Sequence, residues 1–266
     1  SGAKIGRGSG WWMFGGELGR TVGPLIIVAA VSALTLRGAA VLMVPGVAAS
    51  LLLFFQLRSL PAAHQQQAAA HADLRATLRL LAPVMLPVAG LVLLPAFVTQ
   101  ALATFLPLFF SREGASLWMG GSALTVWQAA GVIGALAGGA LSDRFGRRLV
   151  VTAVLVASPL LMLAFTLASG WVRFALLAPL GFFTLAITPV LLAVVLESFP
   201  QNRALANGVY MAISFLSGAG AAIAVGALSD ALGMHTAYTI SALIMLAGLP
   251  LVFLLPRRTA GQETAL

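Results

Sequence analysis

The sequence predicts an all-α integral membrane protein, and three observations support that prediction. Of the 266 residues, 60% are hydrophobic and only 8% are charged, whereas about a quarter of the residues in an average soluble domain are charged. The mean hydropathy is +1.02. The apolar residues form runs long enough to cross about 30 Å of hydrocarbon at about 1.5 Å per helical residue. Because so few charges cannot coat a globule in water, we expect lipid to surround the chain.

Eight apolar runs predict eight transmembrane helices. They lie at about residues 11–36, 39–57, 80–110, 120–141, 149–169, 172–196, 205–228 and 235–256. The first and third runs are long and contain glycine or proline, so we expect tilted or kinked helices there.

The cationic residues predict the orientation of these helices. With a cytoplasmic N-terminus, eleven Lys and Arg residues lie inside: Lys4, Arg7, Arg58, Arg75, Arg79, Arg144, Arg147, Arg148, Arg203, Arg257 and Arg258. Three lie outside: Arg37, Arg112 and Arg173. The positive-inside rule therefore predicts a protein of the inner or plasma membrane with both termini in the cytoplasm. Since the arginines are scattered between apolar runs, we attribute the net charge of +8 to topology and expect no nucleic-acid partner.

One polar interval divides the chain into two parts. Residues 58–79, RSLPAAHQQQAAAHADLRATLR, are typical of a short cytoplasmic linker. The first two predicted helices precede it within residues 1–57, and the other six follow it within residues 80–266. His64, His71 and Asp73 are too few to form a metal site. We expect neither a metal nor another cofactor.

Two copies of one short pattern indicate an internal repeat. Residues 139–146 are GALSDRFG and residues 226–233 are GALSDALG. Three predicted helices separate the copies, so equivalent residues fall on opposite sides of the membrane, as in an inverted repeat of three helices. The first copy alone carries arginines, as the positive-inside rule requires. A chance similarity between two segments rich in small residues is the alternative.

Small residues recur at every fourth position on three predicted helices. Such stripes let transmembrane helices approach closely, and they are compatible with either static packing or sliding between bundles. The stripes are Gly15, Gly19, Gly23 with Pro24; Ala130, Gly134, Gly138 beside Gly131, Ala135, Gly139; and Ser214, Gly218, Ala222, Gly226.

Five polar or amphipathic residues also fall within predicted spans: Gln100, Thr125, Trp127, Gln128 and Thr184. They are expected either to line a cavity or to form hydrogen bonds between helices.

Common catalytic motifs are absent from the sequence. Because Lys4 is the only lysine, the nucleotide-binding pattern GxxxxGK[ST] cannot occur, and neither HExxH nor GxSxG is present. A membrane enzyme would show clustered His, Asp or Glu residues near an interface, and none is visible. We therefore expect no catalytic residue, and a receptor or membrane enzyme is the less favoured alternative to a transporter.

The most specific segment is GALSDRFGRR, residues 139–148, in a short connection between two predicted helices. It resembles the signature loop of the major facilitator superfamily, which follows the second and eighth helices of a twelve-helix chain. GGELGRTVGP, residues 15–24, resembles the Gly-Pro motif in helix 5 of the family's antiporters, and ESFPQNRALANG, residues 197–208, resembles its connection between helices 10 and 11. The run at residues 8–30, GSGWWMFGGELGRTVGPLIIVAA, is most similar to the fosmidomycin-resistance branch of exporters.

This resemblance implies a partial major facilitator fold: a complete C-terminal six-helix bundle preceded by the last two helices of an N-terminal bundle, with four more helices expected before Ser1. It implies a secondary transporter that works by alternating access, most simply proton-coupled efflux of a small organic compound or drug. An importer of a sugar, organic anion or metabolite on the same fold is the alternative. The implied partners are a small-molecule substrate, protons and the lipid bilayer, and the complete protein is expected to be a monomer.

Glu17 and Arg20 are the candidate proton and substrate residues. If the first helix begins near Trp11, Arg20 lies about 13 Å along its axis, close to the middle of the membrane. A charge there costs about 2.5–3.5 kcal/mol, so Arg20 should face a partner or a wet cavity. Arg20 would then hold an anionic substrate or tune the proton affinity of Glu17. Alternatively, the helix begins later and both side chains reach the cytoplasmic surface.

The loop that resembles the family signature supplies the candidate gate. Asp143 is expected against the amino end of the first helix, where exposed amides favour an anion. The loop arginines are expected to bridge to Glu197 and to close the cytoplasmic side. A loop that serves only membrane topology is the alternative. The gating candidates are Gly139, Asp143, Arg144, Gly146, Arg147, Arg148 and Glu197.

Overall fold

A computed structural model describes residues 2–58 and 74–255, and their regular secondary structure is helical throughout. This confirms the predicted all-α class. Seven helical segments within those ranges are long and apolar enough to cross a membrane. The helices are α1 (Gly2–Gly38), a 3₁₀ turn (Ala39–Leu42), α2 (Met43–Leu57), α3 (Leu74–Arg112), α4 (Leu117–Phe145), α5 (Arg147–Leu167), α6 (Gly170–Ser198), α7 (Arg203–Leu232), α8 (Met234–Leu246) and α9 (Leu249–Val252).

The first two predicted spans form one candidate span in the structure, Leu18–Gln56. The predicted break between residues 36 and 39 is replaced by the 3₁₀ turn, which leads from α1 directly into α2. Ala39 and Ala40 continue the helical path because alanine is the strongest helix former. The backbone departs from helical geometry at Thr35 instead, with φ 66° and ψ 171°. The predicted count of eight spans is therefore not confirmed.

Residues 2–58 contact the following helices chiefly through one helix pair, α1 and α4. Val28 is buried in that contact. The side chains of α2 that the structure describes, residues 43–56, are all exposed, and they include Phe54 and Phe55. A helix that is apolar all round is normally buried in protein or lipid, so α2 presents its surface to the membrane or to helices outside those described.

Helices α3 to α8 form a bundle around an apolar core whose largest buried side chains include Trp127, Tyr210, Phe109 and Phe165. The most extensive contact joins α4 to α6. The glycine stripe of α4 forms this contact: a Cβ atom added to Gly138 would lie 2.6 Å from the carbonyl oxygen of Ala186. The stripe therefore lets α4 and α6 pack closely in this structure.

The other two stripes differ in their surroundings. On α7, a Cβ atom at Gly226 would lie 3.3 Å from the ring of Phe105, so this stripe packs against α3. On α1, Gly19 and Gly23 have open space around them within 4 Å in the described structure. The α1 stripe thus remains available to a helix beyond those described.

Polar side chains inside the bundle link neighbouring helices. The indole Nε1 of Trp127 donates to the hydroxyl of Thr184 at 3.2 Å, which joins α4 to α6. The Gln100 amide donates to the carbonyl oxygen of Gly218 at 3.0 Å, which joins α3 to α7. For these residues the structure supports interhelical bonding, one of the two sequence-based alternatives.

Candidate functional site: the two ends of the repeat

The two copies of the repeated pattern fold into the same turn. Gly146, between α4 and α5, has φ 93° and ψ 146°; Gly233, between α7 and α8, has φ 84° and ψ 158°. Each glycine amide donates to the carbonyl oxygen four residues earlier, on Ser142 or Ser229, at 3.1 Å in both cases. A side chain strongly disfavours such φ values, which explains the glycines. A shared backbone geometry favours a true repeat over chance similarity.

The contacts of these turns lie at opposite ends of the bundle. We call one end the arginine end; it comprises residues 142–148, the end of α6 at residues 197–198, and residues 253–255. We call the other the aromatic end; it comprises residues 109–113, 165–174 and 233–238. Successive helices alternate between these ends, so the two glycine turns are on opposite sides, as an inverted repeat predicts.

Arg147 is the centre of the arginine end. Its guanidinium forms ion pairs with Asp143 and Glu197, each at 2.6 Å, and also donates to the Ser142 hydroxyl. The Arg147 side chain is 10% exposed, while the Asp143 and Glu197 side chains are 62% and 45% exposed. The cation is thus enclosed by protein, whereas both carboxylates keep much of their contact with solvent or headgroups.

Arg148 binds backbone rather than a carboxylate. Its guanidinium donates to the carbonyl oxygens of Phe253, at 2.9 Å, and Leu255, at 3.0 Å from Nε. These oxygens follow α9, where helix-terminal carbonyls lack amide partners and carry partial negative charge. Arg148 therefore fastens the last helical turns to the start of α5.

Arg144 has a third environment. It is exposed, and its guanidinium lies 5.3 Å from the centre of the Phe145 ring. Elsewhere in the described ranges it has no ion-pair or hydrogen-bond partner. Of the loop arginines predicted to bridge to Glu197, only Arg147 does so in this structure.

Glu113 is the centre of the aromatic end. One of its carboxylate oxygens accepts a hydrogen bond from Arg173, and the other lies 2.9 Å from Nε2 of His235. The Arg173 side chain is 8% exposed, and its guanidinium lies 5.1 Å and 5.8 Å from the ring centres of Phe109 and Phe165. Aromatic faces attract a cation and exclude water from it, so this ion pair is better shielded than those of Arg147.

An aromatic cluster packs against the Arg173 side chain of the Glu113 network. The rings of Phe109 and Phe165 are 5.3 Å apart, and Tyr238 stacks on Phe109 at 5.0 Å. The Tyr238 hydroxyl donates to the carbonyl oxygen of Ala101 at 2.8 Å. These contacts join α3, α5 and α8, and they fix the side chains on which Arg173 rests.

The same kind of contact joins the two repeats at both ends of the bundle. Glu197, at the end of α6 in the second repeat, contacts Arg147, which follows the glycine turn of the first. Glu113, just after α3 in the first repeat, contacts His235, which follows the glycine turn of the second. Each repeat therefore supplies a carboxylate that meets a basic side chain of the other.

No motif in the sequence marks the residues of the aromatic end as a site. Arg173 was expected only to set membrane topology, and Glu113 and His235 were not among the predicted site residues. A signal was available, because extending the repeat two residues beyond Gly146 and Gly233 aligns Arg148 with His235. Both copies thus have a basic residue at this position, Arg148 or His235, and Glu113 follows the first helix of the first repeat. This combination would have indicated a second network.

The contacts described above for the two networks do not include Arg20. The side chain of Glu17 is outside the described residues, and Arg20 is exposed. The helix begins at Gly2, ahead of the expected start near Trp11, so its start does not fix the depth of Arg20. The predicted contact of Asp143 with the amino end of α1 falls on residues whose side chains are not described, and it stays a prediction.

The α1–α4 contact places Arg20 near the bundle. Arg20, Pro24 and Val28 are spaced by four and share one helix face. On α4, Gly121 packs against Val28 and Pro24: an added Cβ would be 2.6 Å from the Val28 side chain and 3.6 Å from the Pro24 carbonyl oxygen. One turn along α4, the hydroxyl of Thr125 is buried and lacks a hydrogen-bond partner among the described atoms.

No group of three or more His, Cys, Asp or Glu residues that could hold a metal ion is formed within residues 2–58 and 74–255.

Comparison with known proteins identifies the family pattern. The model of the Major Facilitator Superfamily matches residues 1–177 and 119–265. An uncharacterized MFS-type transporter of Bacillus subtilis (strain 168), YfnC, is 32% identical over 126 residues. That alignment covers 47% of this chain and 31% of the Bacillus protein, so the chain matches about a third of the length of this relative.

Proposed function

The chain belongs to the Major Facilitator Superfamily, and from this premise we propose that it is part of a secondary transporter that moves a small organic compound by alternating access. It is an integral membrane protein, and the family favours a transporter over an enzyme. Within that proposal, we favour proton-coupled efflux by a drug exporter of the branch that resembles fosmidomycin-resistance proteins. The protein would act as a monomer.

The observation that carries the proposal is the inverted repeat with a cross-repeat ion pair at each end. Alternating access requires a membrane protein whose two sides open in turn around a central route, and inverted repeats are the usual basis of such symmetry. The turns at Gly146 and Gly233 supply equivalent structures on opposite sides of the bundle. Their different charged contacts would allow the two sides to differ in stability.

We propose that Asp143, Arg147 and Glu197 form a gate at the arginine end. The two carboxylates compete for one guanidinium at 2.6 Å each, and both are well exposed. Because each carboxylate can return to solvent while the other stays beside the enclosed Arg147, an exchange of partners would keep the cation paired. Arg144, Arg148, Gly139 and Gly146 would support this gate by shaping the loop and anchoring α5.

We propose that Glu17 and Arg20 bind protons or substrate beside α4. The support is positional: Arg20 shares a helix face with Pro24 and Val28, which pack on Gly121. In the predicted topology α1 and α4 run antiparallel, so Arg20 would be near the level of Thr125, whose hydroxyl is buried without a partner in the described structure. An anionic group of a substrate could bind both side chains.

We further propose that the arginine end is cytoplasmic, with both termini there, and that residues 1–57 cross the membrane twice. The segment Leu18–Gln56 contains 39 residues, about 58 Å of helix, whereas one crossing needs about 30 Å. Thr35 is the point at which helical geometry breaks, and the stretches on either side are each long enough for one crossing. Residues 58–79 would then link the first two helices to the bundle of residues 80–266.

Transport measurements test the function. The complete protein that contains this chain is reconstituted into vesicles, and flux of a panel of cationic, anionic and neutral drugs is measured with and without a pH gradient. We expect flux of at least one compound to depend on the gradient, and to be lost in Glu17→Gln and Arg20→Ala. Arg203→Ala, at an exposed position outside the residue ranges of both ends, is the control.

Three results would contradict parts of the proposal. Uptake toward the arginine end would contradict efflux, and equal flux without a gradient would contradict proton coupling. Wild-type flux in both α1 variants would remove Glu17 and Arg20 from the site.

A further inference from the structure

An apolar groove lies on the bundle surface beside the arginine end. It has a volume of about 190 Å³ and is lined by α4, α5 and α6. Phe145 and Leu149 line the part next to the Gly146 turn, which we call its mouth, and Ala153 and Phe182 line the part farther from that turn. All of its lining residues are apolar. A groove of this composition favours a hydrocarbon chain over a polar solute.

The direction of the groove suits a lipid tail. Its lining on α4 extends from Phe145 back to Gly138, which is about 10 Å along the helix axis. At Gly138, α4 and α6 are in close contact: an added Cβ would lie 2.6 Å from the Ala186 carbonyl oxygen. A guest would therefore enter at the end of the bundle and lie along the helices, as acyl chains do in a bilayer.

Arg144 gives the mouth of the groove a positive charge. Its guanidinium rests on the Phe145 ring, 5.3 Å from the ring centre, and Phe145 itself lines the groove. Arg147 is held by carboxylates and Arg148 by carbonyl oxygens. Arg144 is exposed, with no such partner among the described residues, so its donors are free to form paired hydrogen bonds with a phosphate.

We propose that this groove binds an anionic phospholipid, with one acyl chain between α4, α5 and α6 and the headgroup phosphate on Arg144. Charge complementarity selects the lipid: a basic site at a helix end favours anionic over zwitterionic headgroups. The apolar groove supplies the second contact and distinguishes a lipid from free phosphate. The bound lipid would tie the Gly146 turn to the membrane surface.

Lipid binding to the purified protein tests this proposal. Phosphatidylglycerol, phosphatidylcholine or inorganic phosphate is titrated into detergent-solubilised protein, and bound lipid is counted by native mass spectrometry while the melting temperature is recorded. Phosphatidylglycerol should bind and raise the melting temperature. Arg144→Ala should weaken its binding about fivefold, since one basic side chain near a membrane contributes about that factor, and Arg144→Lys should retain part of it.

Matched variants test the headgroup contact of Arg144 and the acyl-chain contact of the groove separately. Arg203→Ala removes an exposed charge at the start of α7 and should leave binding unchanged. Ala153→Phe fills the groove and should weaken binding with Arg144 intact, while Ala164→Phe, an exposed position on the same helix outside the groove, should not.

Four results would overturn the proposal. They are wild-type binding in Arg144→Ala, an equal effect of phosphatidylcholine, a full response to inorganic phosphate alone, or wild-type binding in Ala153→Phe. Dimerisation that hides the groove and is lost in Ala153→Phe would assign the groove to a second copy of the chain instead.

Discussion

The two ends of the bundle have the same backbone turn but different surroundings. At the arginine end, Arg147 meets two carboxylates that are 62% and 45% exposed. At the aromatic end, Arg173 is 8% exposed, meets the 34% exposed Glu113, and lies over two aromatic rings. Low local dielectric strengthens an ion pair and raises the cost of breaking it.

This difference indicates different roles for equivalent positions. The exposed carboxylates of the arginine end can separate from Arg147 and regain water, so that contact can open and close. Both cations are enclosed, but Arg147 contacts two carboxylates, whereas Glu113 is the one carboxylate that Arg173 contacts among the described residues. Separation of Glu113 from Arg173 would therefore leave that cation without a carboxylate. We therefore regard the arginine end as the adjustable side of the six-helix bundle, and the contacts of the aromatic end as costlier to separate.

The largest effect is expected from removing the buried cation. Arg173→Met should destabilise the protein by about 3–5 kcal/mol, the usual cost of removing one partner of a buried ion pair. Thermal melting in detergent measures this loss, with Arg203→Met as the exposed control. Because neutral Glu113→Gln removes the unpaired charge, the double variant should recover part of the stability. If Arg173→Met and Arg203→Met had the same melting temperature, the proposed difference in stability between the two ends would be wrong.

The shared turn should behave alike at both ends. Gly146→Ala and Gly233→Ala should each cost about 1–3 kcal/mol, because both glycines have φ near +90°, a region that side chains occupy only under strain. Gly139→Ala is the control, since an added Cβ meets nothing within 4 Å and its φ is not positive. Melting temperatures of the three variants in parallel would test this. A cost at only one turn would argue against equivalent copies.

A smaller effect on stability is expected at the adjustable side. Glu197→Gln should cost about 1 kcal/mol or less, as for exposed ion pairs, because Asp143 remains beside Arg147 at 2.6 Å. Glu197→Gln should change the accessibility of the two ends of the bundle more than it changes the melting temperature. A loss of several kcal/mol would show that the arginine end is as rigid as the aromatic end.

The smallest effect is expected for His235. Its side chain is 53% exposed, and Glu113 keeps its contact with Arg173 when the imidazole is removed. His235→Gln should change stability by about 0.5 kcal/mol or less. Thermal melting beside Arg173→Met gives the comparison, and a loss as large as that of Arg173→Met would place His235 at the centre of the network.

The sequence predicted the features that depend on local pattern. The two matching octapeptides that end at Gly146 and Gly233 indicated the repeat, and the contact of the loop arginines with Glu197 was expected from the resemblance to the family's signature loop. The membrane class followed from composition, because a chain with so few charged residues cannot cover its surface with polar side chains and is expected to lie in lipid.

Features that depend on three-dimensional packing were not predictable in the same way. The Glu113 network joins residues far apart in the chain, and nothing near Glu113 marks it as a partner of Arg173. The helical path through residues 36–42 was missed because a lone Arg37 and Gly38 resemble a turn, while the alanines that follow favour helix. The stripes on α4 and α1 look alike in sequence, yet the α4 glycines pack against α6, whereas Gly19 and Gly23 have nothing within 4 Å in the described structure.

Accessibility at the two ends of α4 tests the central claim most directly. The chain contains no cysteine, so single cysteines at Thr125 and Ala135 would report the aromatic and arginine halves of the helix by their rates of labelling. In Glu197→Gln, we predict faster labelling at Ala135→Cys and slower labelling at Thr125→Cys, relative to each cysteine in the unaltered background. Unchanged rates at both positions, or a change of the same sign at both, would contradict a gate that opens one end as the other closes.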